Sequence, residues 1–381
     1  MTQYLIIAAL VVGIALGTFI ALKTRRRKKT RTTSYIDALH LLLENKKDEA
    51  LAQLKKTVRE DTENIMAYIT LGDLFRDKEL PVRAAKVHRN LLVRGDLNDS
   101  EISTILRSLV LDYKAAGQLG KAVEMAERLV HRSRKNVKDQ QLLLALCEEK
   151  GDWDKAFFFR QSINKWLKKD DQSILAMYKV QSGLSFTKQG AEREGRIRFR
   201  EAIKLYKKCV PAFLYWGDSY RREQRNEDAF RIYRDFTQKI PEWAHLCFDR
   251  MKEVLFDLGR YGEIESIYEQ VIQSKSQDPT ATINLAELYR KQGNLDKASD
   301  TCRNILEIHP QSQRARLLLV QLLKQKGDEK KALGEAMEGL KQTAEEKTVY
   351  DCSECRFESE EPLWRCPQCG GWNTFLIEKK S

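Results

Sequence analysis

The sequence predicts an all-α protein: a solenoid of about nine helical hairpins, preceded by one membrane-spanning helix and closed by a small metal-binding ribbon. Three observations carry this reading. Nineteen consecutive uncharged, mostly apolar residues stand near the start, a pattern of large and small residues recurs about every 34 positions, and two Cys-x-x-Cys pairs lie near the end. At 381 residues the chain is long enough for two or three domains.

The apolar run is Tyr4 to Leu22. As a helix it rises roughly 28 Å, close to the hydrocarbon thickness of a bilayer. A cleaved signal peptide would want positive charge before the run and a small-x-small site after it. Here the charge follows instead: Lys23, Arg25, Arg26, Arg27, Lys28, Lys29 and Arg31, with no acid among them. These seven account for most of the net charge of +12, so the basic balance is a local property. The positive-inside rule then places residues 1–3 outside, 4–22 across the membrane, and 23–33 as a basic juxtamembrane segment in the cytoplasm. That segment can sit against anionic head groups. The expectation is a single-pass protein whose bulk faces the cytoplasm. Cysteine usage agrees, because Cys147, Cys209, Cys247 and Cys302 are scattered singly, as a reducing compartment allows.

Residues 34–340 read as the repeat array. One copy runs Phe213, Trp216, Gly217, Tyr220, then Ala229, Tyr233, Phe236 and Pro241; another runs Tyr68, Leu71, Gly72, Phe75, then Ala84 and Leu91. A third runs Leu285, Ala286, Tyr289, Gly293, Ala298, Ile305 and Pro310. The pattern resembles the tetratricopeptide repeat. Small residues let two antiparallel helices approach, and large ones fill the gap to the next hairpin. The small-residue anchors fall at Ala38, Gly72, Val110, Leu144, Gly217, Lys252, Ala286 and Val320. The wide gap between Leu144 and Gly217 calls for one more, divergent repeat over 173–209, with a lengthened turn from Thr187 to Gly195. The copy over 245–278, around Lys252, is degenerate. Aromatics such as Trp216, Phe75 and Tyr289 are expected to stack hairpins.

Catalytic patterns are missing from the sequence, and the protein is expected not to be an enzyme. Gly117 to Lys121 lacks the spacing and the Ser/Thr of a phosphate loop, and the five histidines are dispersed with no His-Glu-x-x-His. With 32% charged residues, acid and base pairs on helices are expected to be solvated faces.

After a polar linker over 341–348, residues 349–381 carry Cys352, Cys355, Cys366 and Cys369. Two knuckles ten residues apart can close a tetrahedron of thiolates around one structural Zn2+, with no open position for chemistry. Iron in its place is the lesser alternative. Tyr350, Phe357, Trp364, Trp372 and Phe375 interleave the cysteines at strand-like spacing, which makes a rubredoxin-like ribbon. So small a module cannot bury enough surface alone. Trp364 and Trp372 are therefore the expected docking residues against the array. Glu354, Glu358, Glu360 and Glu361 would repel phosphates, so no nucleic-acid partner is expected.

Taken in order, anchor, basic run, repeats and terminal ribbon resemble the lipopolysaccharide assembly protein B family of Gram-negative bacteria. The most specific match is Tyr350-Asp-Cys352-Ser-Glu-Cys355-Arg-Phe357, then Leu363-Trp364-Arg-Cys366-Pro367-Gln-Cys369, then Trp372. Arg356 stands where that family often has Gly, a change expected to cost little. The resemblance implies a non-enzymatic adaptor of the inner membrane that helps the protease FtsH degrade the lipid A deacetylase LpxC and contacts lipopolysaccharide-sensing or transport membrane proteins. The alternative reading is a general tetratricopeptide scaffold for another envelope assembly.

Overall fold

The computed structural model describes residues 34–274, 279–341 and 348–379. The expected membrane helix over 4–22 and the basic segment over 23–33 lie outside the described residues. Among the described residues, no helix is long and apolar enough to cross a membrane.

Among the described residues, eighteen α-helices follow one another in pairs. They are α1 (34–43) with α2 (Lys47–Glu60), α3 (Ile65–Asp77) with α4 (Pro81–Leu92), α5 (Asp99–Ala115) with α6 (Leu119–Arg132), and α7 (Val137–Lys150) with α8 (Trp153–Leu167). Then come α9 (Gln172–Lys188) with α10 (Glu192–Leu205), α11 (Val210–Arg222) with α12 (Asn226–Lys239), and α13 (Phe248–Asp257) with α14 (Ile264–Gln273). The last pairs are α15 (Thr280–Lys291) with α16 (Leu295–Ile308), and α17 (Gln313–Gln325) with α18 (Glu329–Lys341). This is the helical repeat architecture that the sequence periodicity predicts. It falls into two compact units, up to Trp166 and from Leu167 onward, and in each unit successive hairpins pack on one another.

Local chemistry sets the boundaries. Asn98 caps α5 in a reciprocal capping box with Glu101, while Asn64, Asn136, Asn294 and Ser312 cap α3, α7, α16 and α17. The turns between paired helices place one residue in the left-handed region. Gly117, Gly190, Gly293 and Gly327 take it without strain, whereas Glu79 (φ 59°) and Gln224 (φ 60°) adopt it with a side chain.

Close approach inside a hairpin depends on bare backbone beneath a ring. A Cβ on Gly72 would lie 2.4 Å from the His88 ring, one on Gly183 would lie 2.6 Å from Phe199, and one on Gly217 would lie 2.2 Å from Tyr233. Each ring follows its glycine by sixteen residues. This corrects the expected lengthened turn in the divergent repeat. The α9–α10 turn is the three residues Gln189 to Ala191, as short as its neighbours. Gly195 is no turn residue: it sits inside α10, where a Cβ would meet the Gly183 carbonyl oxygen at 3.0 Å. Gly183 is the missing anchor.

In the first unit, His88 and Asp112 are fully buried and joined at 2.6 Å, with Arg76 on the other Asp112 oxygen at 2.8 Å. The cluster braces α3, α4 and α5, and Gly72 lies over the ring. In both units, cations at hairpin turns reach acids in the first turn of the preceding pair's second helix: Lys78 to Asp48, Arg260 to Glu227, and Lys326 to Asp296.

The degenerate copy around Lys252 departs from the pattern. A 3-10 helix, Pro241–Cys247, precedes a short α13. The proline cannot continue α12, and the irregular segment carries Trp243 to the side of the array where the ribbon sits.

The ribbon is a three-stranded antiparallel sheet of β1 (Thr348–Cys352), β2 (Glu358–Ser359) and β3 (Phe375–Lys379), in the order β2-β1-β3. The register pairs Tyr350 with Ser359 and Cys352 with Phe375.

Candidate metal centre

Each Cys-x-x-Cys pair is presented by the same turn. In the first, the Arg356 N–H donates to the Cys352 carbonyl at 2.8 Å and the Cys352 N–H to the Phe357 carbonyl at 2.9 Å. In the second, the Gly370 N–H donates to Cys366 at 2.9 Å and the Cys366 N–H to Gly371 at 2.8 Å. The turns require a left-handed residue at matching places, Arg356 (φ 61°) and Gly370 (φ 72°). The arginine is therefore not neutral: an L side chain in that region costs about 1–2 kcal/mol.

The two turns bring four sulfurs together. All four Sγ atoms lie within 4.8 Å of one another, with Cys352 to Cys369 at 3.7 Å and Cys355 to Cys366 at 3.5 Å. These separations are far too long for a disulfide. A tetrahedral ion with sulfur ligands at about 2.3 Å has edges of about 3.8 Å, so the cluster fits a metal ion.

Electrostatics favours the same occupant. Burial pushes the Cys352 thiol up, but hydrogen bonds from Thr374 and from the backbone of Cys355 and Glu354 bring it down to about 6. At Cys369 the Gly371 N–H favours the thiolate, yet burial and the neighbouring sulfurs push the thiol up to about 12. Four thiolates this close repel one another, and a divalent cation at their centre removes that repulsion. Among the described residues, this is the group of His, Cys, Asp or Glu side chains that converges on one point. The remaining cysteines are buried in the array, with Cys209 and Cys302 each pushed up to about 12 by burial. That makes them poor nucleophiles.

The ribbon's aromatics meet the second unit's helices. Trp364 lies 6.4 Å from Trp243 and reaches the Tyr215 hydroxyl with its N–H, and it packs against the core of that unit. Trp372 meets Tyr178 edge to face at 5.6 Å, with Arg365 stacked on it at 4.9 Å. Trp243 also stacks on Tyr350. Sequence reasoning missed Trp243, Tyr178 and Tyr215. Only the degeneracy of the copy that follows Pro241 could have drawn attention to Trp243.

A second feature of the same unit is a polar groove of about 610 Å³ between α11 and α13, lined by Asp218, Arg221, Arg222, Arg250 and Glu253. Arg250 is paired with Asp218 and Arg221 with Glu253, so the lining carries both signs of charge.

Comparison with known proteins agrees with this geometry. Residues 350–376 match the family described as "Rubredoxin metal binding domain", in its lipopolysaccharide assembly protein B zinc-ribbon form, and residues 255–309 match "Tetratricopeptide repeat". Lipopolysaccharide assembly protein B of Escherichia coli (strain K12) is 22% identical over 390 residues, covering 97% of each chain. The protein of that name from Haemophilus influenzae is 21% identical, over 89% of this chain and 88% of its own. Among solved structures, YrrB, described as a TPR protein with an unusual peptide-binding site, is 18% identical over 47% of this chain and 88% of its own, with a TM-score of 0.33. With its tetratricopeptide repeats, its terminal ribbon and a similarity that runs along nearly its whole length, the chain is similar to the proteins named lipopolysaccharide assembly protein B.

Proposed function

We propose that this protein is a non-enzymatic adaptor of the inner membrane that regulates lipopolysaccharide synthesis by helping FtsH degrade the deacetylase LpxC. The observation that carries the reading is the end-to-end similarity to proteins named lipopolysaccharide assembly protein B, combined with that family's own ribbon at residues 350–376. Residues 4–22 would anchor the chain, residues 23–33 would lie at the cytoplasmic head groups, and the repeats over 34–340 would receive a client. Confining an adaptor to the bilayer plane raises its effective concentration toward a membrane protease.

Cys352, Cys355, Cys366 and Cys369 would hold one Zn2+. With four sulfurs as ligands the ion has no open position, so its part is to fold the ribbon. The contacts of Trp364 and Trp372 with α9, α11 and Trp243 support a ribbon and array that work as one body toward partners.

Depleting the protein in its own host and following the deacetylase by immunoblot after blocking synthesis tests the proposal. A lengthened half-life and a raised level are expected. An unchanged half-life overturns the adaptor reading.

A further inference from the structure

The four sulfurs are not equivalent. Cys352 is fully buried, while Cys369 is exposed beside the Glu354 carboxylate at 3.8 Å. The Thr374 hydroxyl lies 3.1 Å from the buried sulfur, and Thr374 is itself only 7% exposed. Two backbone features fix that hydroxyl. The Thr374 carbonyl accepts from the Ser353 N–H at 2.8 Å, and the next residue, Phe375, pairs in register with Cys352.

We propose that Thr374 is a positioning residue of the metal centre, its O–H donating to the Cys352 thiolate. A metal-bound thiolate can only accept, so the hydroxyl must be the donor once an ion is held. The donation holds the sulfur in one orientation and spreads its negative charge. It acts at one of the two corners, Cys352 and Cys366, that water does not reach, where an unsupported thiolate is most costly. Cys369 has the Gly371 N–H but no hydroxyl donor, and its side-chain neighbour at 3.8 Å is the Glu354 carboxylate. The buried side of the cluster is thus the one that retains the ion, and the exposed Cys369 corner the one that opens first. Cys352 also ends β1, the strand that carries Tyr350 to Trp243, so the hydroxyl connects metal retention to the strand that touches the array.

This inference rests on the metal reading above, and the test separates the two. Purified full-length protein is loaded with zinc, and release to the chelator 4-(2-pyridylazo)resorcinol is followed. A cobalt-loaded sample reports the sulfur-to-metal charge-transfer band. Thr374→Val, which keeps the shape and removes the hydroxyl, is expected to weaken zinc binding about tenfold, speed release and shift the cobalt band. Thr374→Ser is expected to restore all three. Wild-type release and band position in Thr374→Val overturn the role of the hydroxyl. So does a Ser variant as leaky as the Val variant, which would assign the effect to the methyl group. If the wild-type chain takes up neither metal with a sulfur-to-metal band, the metal reading itself fails.

Discussion

Trp243 and Tyr350 lie ring over ring, their centroids 6.3 Å apart and their planes 19° from parallel. One belongs to the 3-10 helix that breaks the array and the other to the central strand of the ribbon, so one stacked pair joins two structures of different periodicity. Trp243→Ala is expected to loosen the ribbon by about 2–3 kcal/mol, short of a fully buried aromatic deletion because Trp243 is half-buried. Hydrogen exchange of the β1 amides is the measurement. Faster exchange in β1 with unchanged protection in α3 and α5 is expected, and Trp243→Phe should fall between.

Metal removal should act on the ribbon and spare the helices. Stripping with a chelator, or Cys366→Ser, is expected to leave the far-ultraviolet helical signal nearly intact while changing tryptophan fluorescence. Trp364 and Trp372 would lose their fixed neighbours Trp243 and Tyr178. A collapse of helical signal together with the fluorescence change would mean that the array depends on the ribbon.

The left-handed turn residues predict gains. Gln224→Gly and Glu79→Gly each relieve a strained side chain, offset partly by the looser unfolded chain, for a net of up to about 1 kcal/mol. Arg356→Gly should do the same for the ribbon. Thermal unfolding measures the first two, and resistance of the ribbon to proteolysis the third.

The glycine beneath a ring predicts a loss. Gly217→Ala places a methyl 2.2 Å from Tyr233, whose hydroxyl is held by Asp218 at 2.6 Å and cannot simply swing away. About 2–3 kcal/mol of destabilisation is expected by denaturant titration. Gly334→Ala, which meets nothing, should be harmless or mildly stabilising and serves as the control.

Acid should unfold the array through its carboxylates. Lys78 holds Asp48 below the usual range and Lys326 does the same for Asp296; burial would raise Glu192, but Arg222 and Ser219 bring it below as well. A depressed folded value means that the native state binds fewer protons than the unfolded chain. The stabilisation is then present above about pH 4 and is lost as pH falls through the folded values. Calorimetry should show a melting temperature nearly flat from pH 6 to 8 and falling below pH 4 (both limits about half a unit wide). Lys78→Met and Lys326→Met should shrink the fall.

The cysteine centre was legible because its information is local. Two pairs ten residues apart dictate two knuckles whatever surrounds them. The helices were legible for a related reason: Gly72, Gly217 and Ala286 repeat at a spacing that only paired helices need. Gly183 escaped because it lies 39 residues after Leu144, and nearby Gly195 looked like turn chemistry. The two glycines explain each other only when α9 and α10 are seen to cross. Trp243 and Tyr178 escaped for a different reason. Each meets a ribbon residue more than a hundred positions away, and no periodicity encodes a contact made once.

The ring over bare backbone has one more consequence. At the same sixteen-residue spacing, Gly pairs with His88, Phe199 and Tyr233, Ala38 with Leu54, Ala286 with Cys302, and both Val110 and Val320 with alanine. As one partner grows, the other shrinks. Leu144 with Arg160 and Lys252 with Tyr268 depart from this, each pair containing one long cation whose end can reach water. Read a position at a time, the array looks like a motif decaying into noise. Read as pairs, most of its hairpins keep one glycine or alanine in each couple, so that the two letters must be changed together.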